Sequence, residues 1–175
     1  MKKILLSVSL IIATIIGCKT NSKSDDSKKL NIAFESKSNS TVTGTATLVE
    51  KNGKVTFVAK IAGLTPGAHA IHIHEKSDCS AADGSSAGGH WNPTFKKHGK
   101  WGVAEYHKGD IGNFTADEKG NGTITLTTDE WCIGCGDQTK DILEKGLIVH
   151  QGTDDFTSQP AGNAGARVAC SAIIK

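Results

Sequence analysis

The stretch Thr41-Val42-Thr43-Gly44-Thr45-Ala46-Thr47-Leu48-Val49-Glu50, continued by Lys51-Asn52-Gly53 and Lys54-Val55-Thr56-Phe57-Val58-Ala59-Lys60-Ile61-Ala62, decides the fold class. Val42, Gly44, Ala46 and Leu48 alternate with threonines, and Val55, Phe57, Ala59 and Ile61 alternate in the same way. A period of two places every second side chain on one face of a strand. Asn52-Gly53 between the runs supplies the positive φ angles of a tight two-residue turn, so the pair reads as a β-hairpin. Further strand candidates lie at Leu30–Glu35, Ala68–Glu75, Asp110–Ala116, Gly122–Thr128, Leu147–Gln151 and Arg167–Ile174. With Thr41–Glu50 and Lys54–Ala62 they make eight. Eight short strands with glycine turns predict an all-β sandwich or flattened barrel with long loops. No long amphipathic helix is visible, and Asp141–Lys145 offers at most one helical turn.

The loops carry the chemistry. All seven histidines, His69, His72, His74, His90, His98, His107 and His150, lie between Gly67 and His150. His72 and His74 are two apart in a strand candidate, alternating with Ile71 and Ile73, so both rings project from one face. His150 ends the apolar run Gly146-Leu147-Ile148-Val149 and can reach the same place from a neighbouring strand. His90, His98, His107 and Asp110 sit in a glycine-rich polar stretch; three histidines and a carboxylate fill a closed tetrahedral zinc shell. Neutral imidazole suits copper and zinc alike. One histidine on a strand is as readily a satisfied core residue. So many on short spacings, with an aspartate ending one run, indicate two metals.

On these motifs the chain resembles copper/zinc superoxide dismutases from about Leu30 to its C-terminus. The resemblance implies an eight-stranded Greek-key barrel with long metal-binding loops. It also implies dismutation of superoxide to oxygen and hydrogen peroxide. Copper would be held by His72, His74, His90 and His150, and zinc by His90, His98, His107 and Asp110, with His90 shared as a bridge. Asp154 would link a copper-ligand histidine to a zinc-ligand histidine. His90 would supply a proton and Arg167 would dock the anion. His69 matches a structural position just before the copper strand and is assigned no metal. Cys79 and Cys170 match the family disulfide. One departure concerns guidance of the anion: no lysine stands between His150 and Arg167. Arg167 would act nearly alone there, or Lys96, Lys97, Lys100 and Lys108 would assist from the zinc loop.

The N-terminus sets the expected compartment. Met1-Lys2-Lys3 is a short basic start, and Ile4–Ile16 is apolar but short for a bilayer span. Residues 1–17 read as a secretory signal. Ile15-Ile16-Gly17-Cys18 resembles a bacterial lipobox, with isoleucine at the usual leucine position and Cys18 as the lipidated residue. Residues 18–29, polar after the cysteine, read as a flexible tether, and residues 30–175 as one domain. About 145 residues is a common size for a single core. The expected place is the bacterial cell envelope, lipid-anchored outside the cytoplasm, on the periplasmic or surface face. The formal charge of +2 includes Lys2 and Lys3, so the mature chain is near neutral. No basic stripe or aromatic platform suggests nucleic acid. Superoxide and, through the anchor, a membrane are the expected partners, in a monomer or homodimer.

Apart from Cys18, four cysteines remain, which allow three pairings. An exported chain favours disulfides. Cys132 and Cys135, in Trp131-Cys132-Ile133-Gly134-Cys135-Gly136, fall outside the family pattern. They read as a local disulfide or, alternatively, as a thiolate pair for copper(I). The competing functional class is a non-enzymatic copper-buffering lipoprotein. The extra cysteine pair favours it, whereas the anion-docking Arg167 favours the enzyme.

Overall fold

The computed structural model describes residues 27–175. The signal, Cys18 and most of the tether lie outside the described residues. Eight antiparallel strands run in the order β1 (Lys28–Ser36), β2 (Thr43–Lys51), β3 (Lys54–Ala62), β4 (Gly67–His74), β5 (Gly112–Ala116), β6 (Gly122–Thr128), β7 (Lys145–His150) and β8 (Arg167–Ile173). They close into a barrel in the order β1-β2-β3-β6-β5-β4-β7-β8. β3 pairs with β6 rather than β4, so the chain crosses the barrel between hairpins in the Greek-key manner. Closure leaves no free strand edge among these eight. Among the described residues no helix is long and apolar enough to cross a membrane.

The hairpin pairs in the register its alternation requires, with Lys51 opposite Lys54 and Leu48 opposite Phe57. Ala46, Leu48, Val55, Phe57, Ala59 and Ile61 are buried together in the core. Phe57 is fully buried and meets Trp131 edge-on at 6.4 Å. Burial of such a ring stabilises by roughly 1.5–3 kcal/mol.

Several boundaries differ from the sequence reading, each for a local reason. β1 begins at Lys28, so Lys28 and Lys29 belong to the barrel rather than to the tether; they pair with Glu50 and Val49. β5 begins at Gly112, because Asp110 closes the turn from His107, its N–H donating to His107 O at 3.0 Å, and Ile111 N–H turns back to Gly109 O at 2.9 Å. Asp141–Lys145 forms no helical turn: Asp141 bridges to Cys132, Ile142 N–H donates to Cys132 O at 3.1 Å, and Lys145 already opens β7. β2 begins at Thr43, although Val42 ahead of it is still buried.

The loops that matter lie on the outer face of β4 and β7. Ile71 and Ile73 of β4 point into the main core, which turns His72 and His74 outward. On β7, Leu147 and Val149 point inward, while Ile148 lies in a small outer cluster with Ala87 and Cys170. The long segment after β4 folds over this outer face, fastened by the Cys79–Cys170 disulfide to β8. A three-way stitch holds its far end to β4. Ile73 N–H donates to Gly109 O, Gly109 N–H to Trp91 O, and Trp91 N–H to Ile73 O. A side chain at Gly109 would meet Ile73 O at 2.2 Å, so only glycine permits this approach.

Candidate metal centre

His72 and His74 stand on the outer face of β4, and His150 ends the neighbouring β7. His90 arrives from the covering loop through a β-bridge to His74. One ligand atom from each of His72, His74, His90 and His150 lies within 4.8 Å of the others. His90, His98, His107 and Asp110 form a second group of the same compactness, so His90 is common to both. All seven residues of the two groups are buried.

The hydrogen bonds show which ring nitrogen each histidine has to spare. His72 Nε2 lies 2.9 Å from Asp154 Oδ2, His74 Nδ1 lies 2.9 Å from Gly88 O, and His150 Nδ1 lies 3.3 Å from Gly165 O. His98 Nε2 lies 2.9 Å from Asp154 Oδ1, and His107 Nε2 lies 3.1 Å from Lys96 O. In each case the other nitrogen, His72 Nδ1, His74 Nε2, His150 Nε2, His98 Nδ1 and His107 Nδ1, is buried without a hydrogen-bond partner, as is His90 Nε2. Asp110 oxygens lie 3.0 Å from His98 Nδ1 and 3.3 Å from His107 Nδ1, out of hydrogen-bond alignment. Leaving a buried polar atom unpaired costs about 1–3 kcal/mol, so six converging examples need a ligand to account for them. An outward N–H bond to a carbonyl or carboxylate fixes the tautomer and aims the opposite nitrogen, as metal-ligating histidines require. Imidazoles with one carboxylate are a donor set that fits copper and zinc.

His69 differs in kind. It lies within β4, and its two ring nitrogens lie 3.0 Å from His150 O and 2.8 Å from Thr65 O. Both are occupied, so it has none to offer a metal.

Asp110 is the hub of the second group. Its Oδ1 lies 2.8 Å from His90 Nδ1, and its Oδ2 accepts N–H from His107 at 2.8 Å and Gly99 at 3.1 Å. Asp154 spans the two groups, one oxygen on His72 and the other on His98, and is itself held by the Phe156 N–H at 2.7 Å. Burial alone would raise both carboxyls, but the histidine and backbone donors outweigh it and hold both well below the usual carboxylate range. Burial pushes His150 down to about 3 and His90 down to about 4, reinforced by neighbouring imidazoles, and lowers His74 as well. These three are therefore neutral, and able to donate to a metal, at neutral pH. His98 goes the other way: burial opposes the shift, but Asp110 and Asp154 together carry it up to about 9.

A cleft of about 630 Å³ opens onto this centre, lined by His74, His90, His150, Arg167, Lys96 and Lys97 among others. Arg167 donates from Nη1 to Gly84 O and from Nη2 to Gly88 O, both at 2.8 Å, which fixes its charged end at the cleft wall. Between Val149 and His150 the pairing of β7 with β8 shifts by one residue, and this sets Arg167 opposite His150. Such irregularities re-aim side chains next to functional sites. Of the other zinc-loop lysines, Lys108 is paired with Glu130, and Lys100 lies over the Phe156 ring at 5.9 Å.

Sequence reasoning missed several supports. The Gly88 carbonyl serves His74 and Arg167 at once. Gln159 clamps His98 through both of that residue's backbone groups, at 2.9 and 3.0 Å. A backbone carbonyl leaves no mark in a sequence, and one loop glutamine looks like any other. Glu75, at the rim of the cleft beside Gly89, directly follows the β4 histidines and could have been flagged from its position.

The likenesses to known proteins agree with this geometry. A family model described as copper/zinc superoxide dismutase matches residues 42–173. Superoxide dismutase [Cu-Zn] 2 of Aquifex aeolicus (strain VF5) is 40% identical over 135 residues, covering 75% of this chain and 79% of the relative. Superoxide dismutase [Cu-Zn] 1 of the same organism is 38% identical over 133 residues, covering 74% and 79%. Among solved structures, the clock protein EA4 superposes with a TM-score of 0.72 at 32% identity, covering 83% of this chain and 94% of that one. Two buried histidine clusters joined at one residue, on a Greek-key barrel with these relatives, place the chain in the copper/zinc superoxide dismutase family, and its activity is the dismutation of superoxide.

Proposed function

We propose that His72, His74, His90 and His150 hold copper and that His90, His98, His107 and Asp110 hold zinc, with His90 bridging the two. The observation that carries this reading is the set of six buried ring nitrogens left without partners, five of them on histidines whose other nitrogen is engaged outside both groups, whereas His90 Nδ1 meets only Asp110, itself a member of the second group. When bound, copper supplies the one-electron acceptance and return that the reaction requires, while zinc is redox-inert and structural.

The protein's own residues then have separate tasks. Two superoxide anions and two protons become one oxygen and one hydrogen peroxide. Arg167 binds the anion at the cleft wall with its fixed fork of donors. Lys96 and Lys97, lining the same cleft, add positive charge on the approach, which compensates for the lysine-free segment between His150 and Arg167. His90, the histidine common to both groups, holds and gives up a proton at Nε2, while its Nδ1, 2.8 Å from Asp110 Oδ1, is the nitrogen it would offer to the second group. Asp154 keeps His72 and His98 in register with each other. A copper-buffering role is the second reading, but a store has no need of an arginine braced by two carbonyls beside the metal shell. The tethered location outside the cytoplasm is likewise our proposal and rests on the lipobox-like Ile15-Ile16-Gly17-Cys18.

The test is metal analysis of the purified protein together with superoxide consumption. Wild type is expected to carry both metals and to be active. His72→Ala is expected to lose copper and at least 100-fold in rate while keeping zinc. Full activity in that variant would overturn the copper assignment.

A further inference from the structure

The loop between β6 and β7 carries a third group of metal-type donors, away from the histidines. Cys132, Cys135 and Asp141 each offer one ligand atom within 4.8 Å of the others. The two cysteines are joined as a disulfide. Cys132 is buried, whereas Cys135 is exposed to solvent. The surrounding backbone is firmly held. Cys132 N–H donates to Lys140 O at 2.9 Å, and Ile133 is gripped from both sides, its N–H by Glu50 Oε2 and its carbonyl by Lys28 Nζ, each at 2.8 Å.

Asp141 is fixed more tightly still. Its Oδ1 accepts N–H from Gly134 at 2.8 Å and Leu143 at 3.1 Å, and its Oδ2 accepts N–H from Gly136 at 2.9 Å. These three bonds, with the Cys135 N–H close by as a further donor, fix the orientation of the carboxylate beside the two sulfurs. An open cleft bordered by Gly136, Gln138, Asp141, Leu143, Glu144 and Lys145 leads to the same carboxylate from solvent.

We propose that, once the Cys132–Cys135 disulfide is reduced, the two thiolates and the Asp141 carboxylate bind one zinc(II) ion at the protein surface. The reductant is a low-molecular-weight or protein thiol. Its thiolate attacks exposed Cys135 Sγ, the S–S bond breaks, and Cys132 leaves as a thiolate. A second thiol resolves the mixed disulfide. Two external thiols end as one disulfide, and the protein gains two electrons and two protons. Zinc(II) then displaces both thiol protons without changing oxidation state. Two sulfurs and one hard oxygen suit a borderline cation better than copper(I), and they leave a fourth position open to water. This loop has two states, a closed disulfide and a metal-bearing dithiol, and the choice between them follows the thiol balance of the surroundings.

The experiment starts from protein whose histidine sites are already saturated with copper and zinc. A trialkylphosphine reduces the disulfide and is then removed, and cobalt(II) or zinc(II) is added. We expect one further metal per chain in the reduced protein, with thiolate-to-cobalt charge-transfer absorption that the histidine sites cannot give. The oxidised protein and Cys135→Ser should show neither. Cys135→Ser, at an exposed position, should retain wild-type dismutation, which shows that it folds and separates this result from the proposed histidine sites. Asp141→Asn should keep the thiolate band and weaken binding by about tenfold or more. No further metal on reduction, or the same band in Cys135→Ser, would overturn the site. Unchanged affinity in Asp141→Asn, or tight uptake of copper(I) alone, would overturn the Asp141-ligated zinc form.

Discussion

Arg167 shows how one side chain can serve structure and chemistry together. Its guanidinium closes the carbonyls of Gly84 and Gly88, and Gly88 O also accepts from His74 Nδ1. Replacement by alanine removes the charge proposed to receive superoxide. It also leaves Gly88 O to His74 alone, and His74 keeps its anchor. Arg167→Ala is therefore expected to retain both metals and to lose about tenfold or more in kcat/KM, since a charged hydrogen bond contributes roughly 1.5–3 kcal/mol. Arg167→Lys restores the charge without the fork and should recover part of the loss. Steady-state kinetics over a range of ionic strength, paired with metal analysis, checks this. The wild-type rate should fall as salt rises, and the alanine variant should respond less. A wild-type rate and salt response in Arg167→Ala would remove its role in anion guidance.

Among the elements, the segment between β7 and β8 has an importance out of proportion to its plain composition. It delivers Asp154 to both histidine groups and Gln159 to His98. Its tightest place is Gly162, where φ is +69° and an added Cβ would stand 1.9 Å from Asp154 Oδ1 and 2.6 Å from His98 Nε2. Gly162→Ala must displace the carboxylate that joins His72 to His98. The expected result is lower zinc occupancy and a stability loss of about 1–3 kcal/mol, from backbone strain alone at the lower end. Thermal unfolding and zinc content of the variant test it, and unchanged values would show that the segment yields more easily than its contacts indicate. The hairpin and the outward pair His72/His74 were legible in the sequence because a period of two is all they require. Gly162 was not, because nothing local distinguishes a glycine pressed against a distant carboxylate from one in an open turn. The same holds for Lys28 and Lys29. Their polar character suggests a tether, and only pairing with β2 makes them a strand.

At the scale of the whole molecule, the barrel keeps a set of ionisable groups out of water, and pH must act on them collectively. Consider the protein with its metals removed by chelation. His90 and His150 titrate at about 4 and 3 in the fold, below the unfolded value near 6.5. The unfolded chain therefore binds more protons as pH falls from 6.5 toward 3, and stability falls with it. The depressed carboxyls of Asp110 and Asp154 add a further loss below about pH 4. His98, raised to about 9, has the opposite sign: its contribution is full below 6.5 and disappears as pH rises through 9. The metal-free protein should be most stable near pH 6.5 and decline on both sides. Melting temperatures across that range decide it, and a monotonic rise to pH 9 would contradict the balance of signs. The expected all-β class with eight strands holds in the structure. The alternation of β2 and β3 is one-sided enough to specify it. The closing order of the strands was not contained in any single strand, since β3 turning to β6 depends on long-range packing.

The one-residue offset where β7 meets β8 has a consequence for how this chain can vary. Val149 faces Ala169 and His150 faces Arg167, so Val168 has no opposite number, yet it is buried with the core, and its carbonyl receives Lys37 N–H and Ser40 Oγ. In an evenly paired strand, removing one residue reverses every side chain on one side of the cut. Here loss of Val168 would bring Arg167 next to Ala169 in regular pairing and still leave it across from His150. The barrel would be poorer by a buried valine and two hydrogen bonds, but the arginine would not turn inward. A deletion at Ser171 has no such slack. At this boundary between scaffold and site, the chain can lose the codon for Val168 without changing which way the Arg167 guanidinium points.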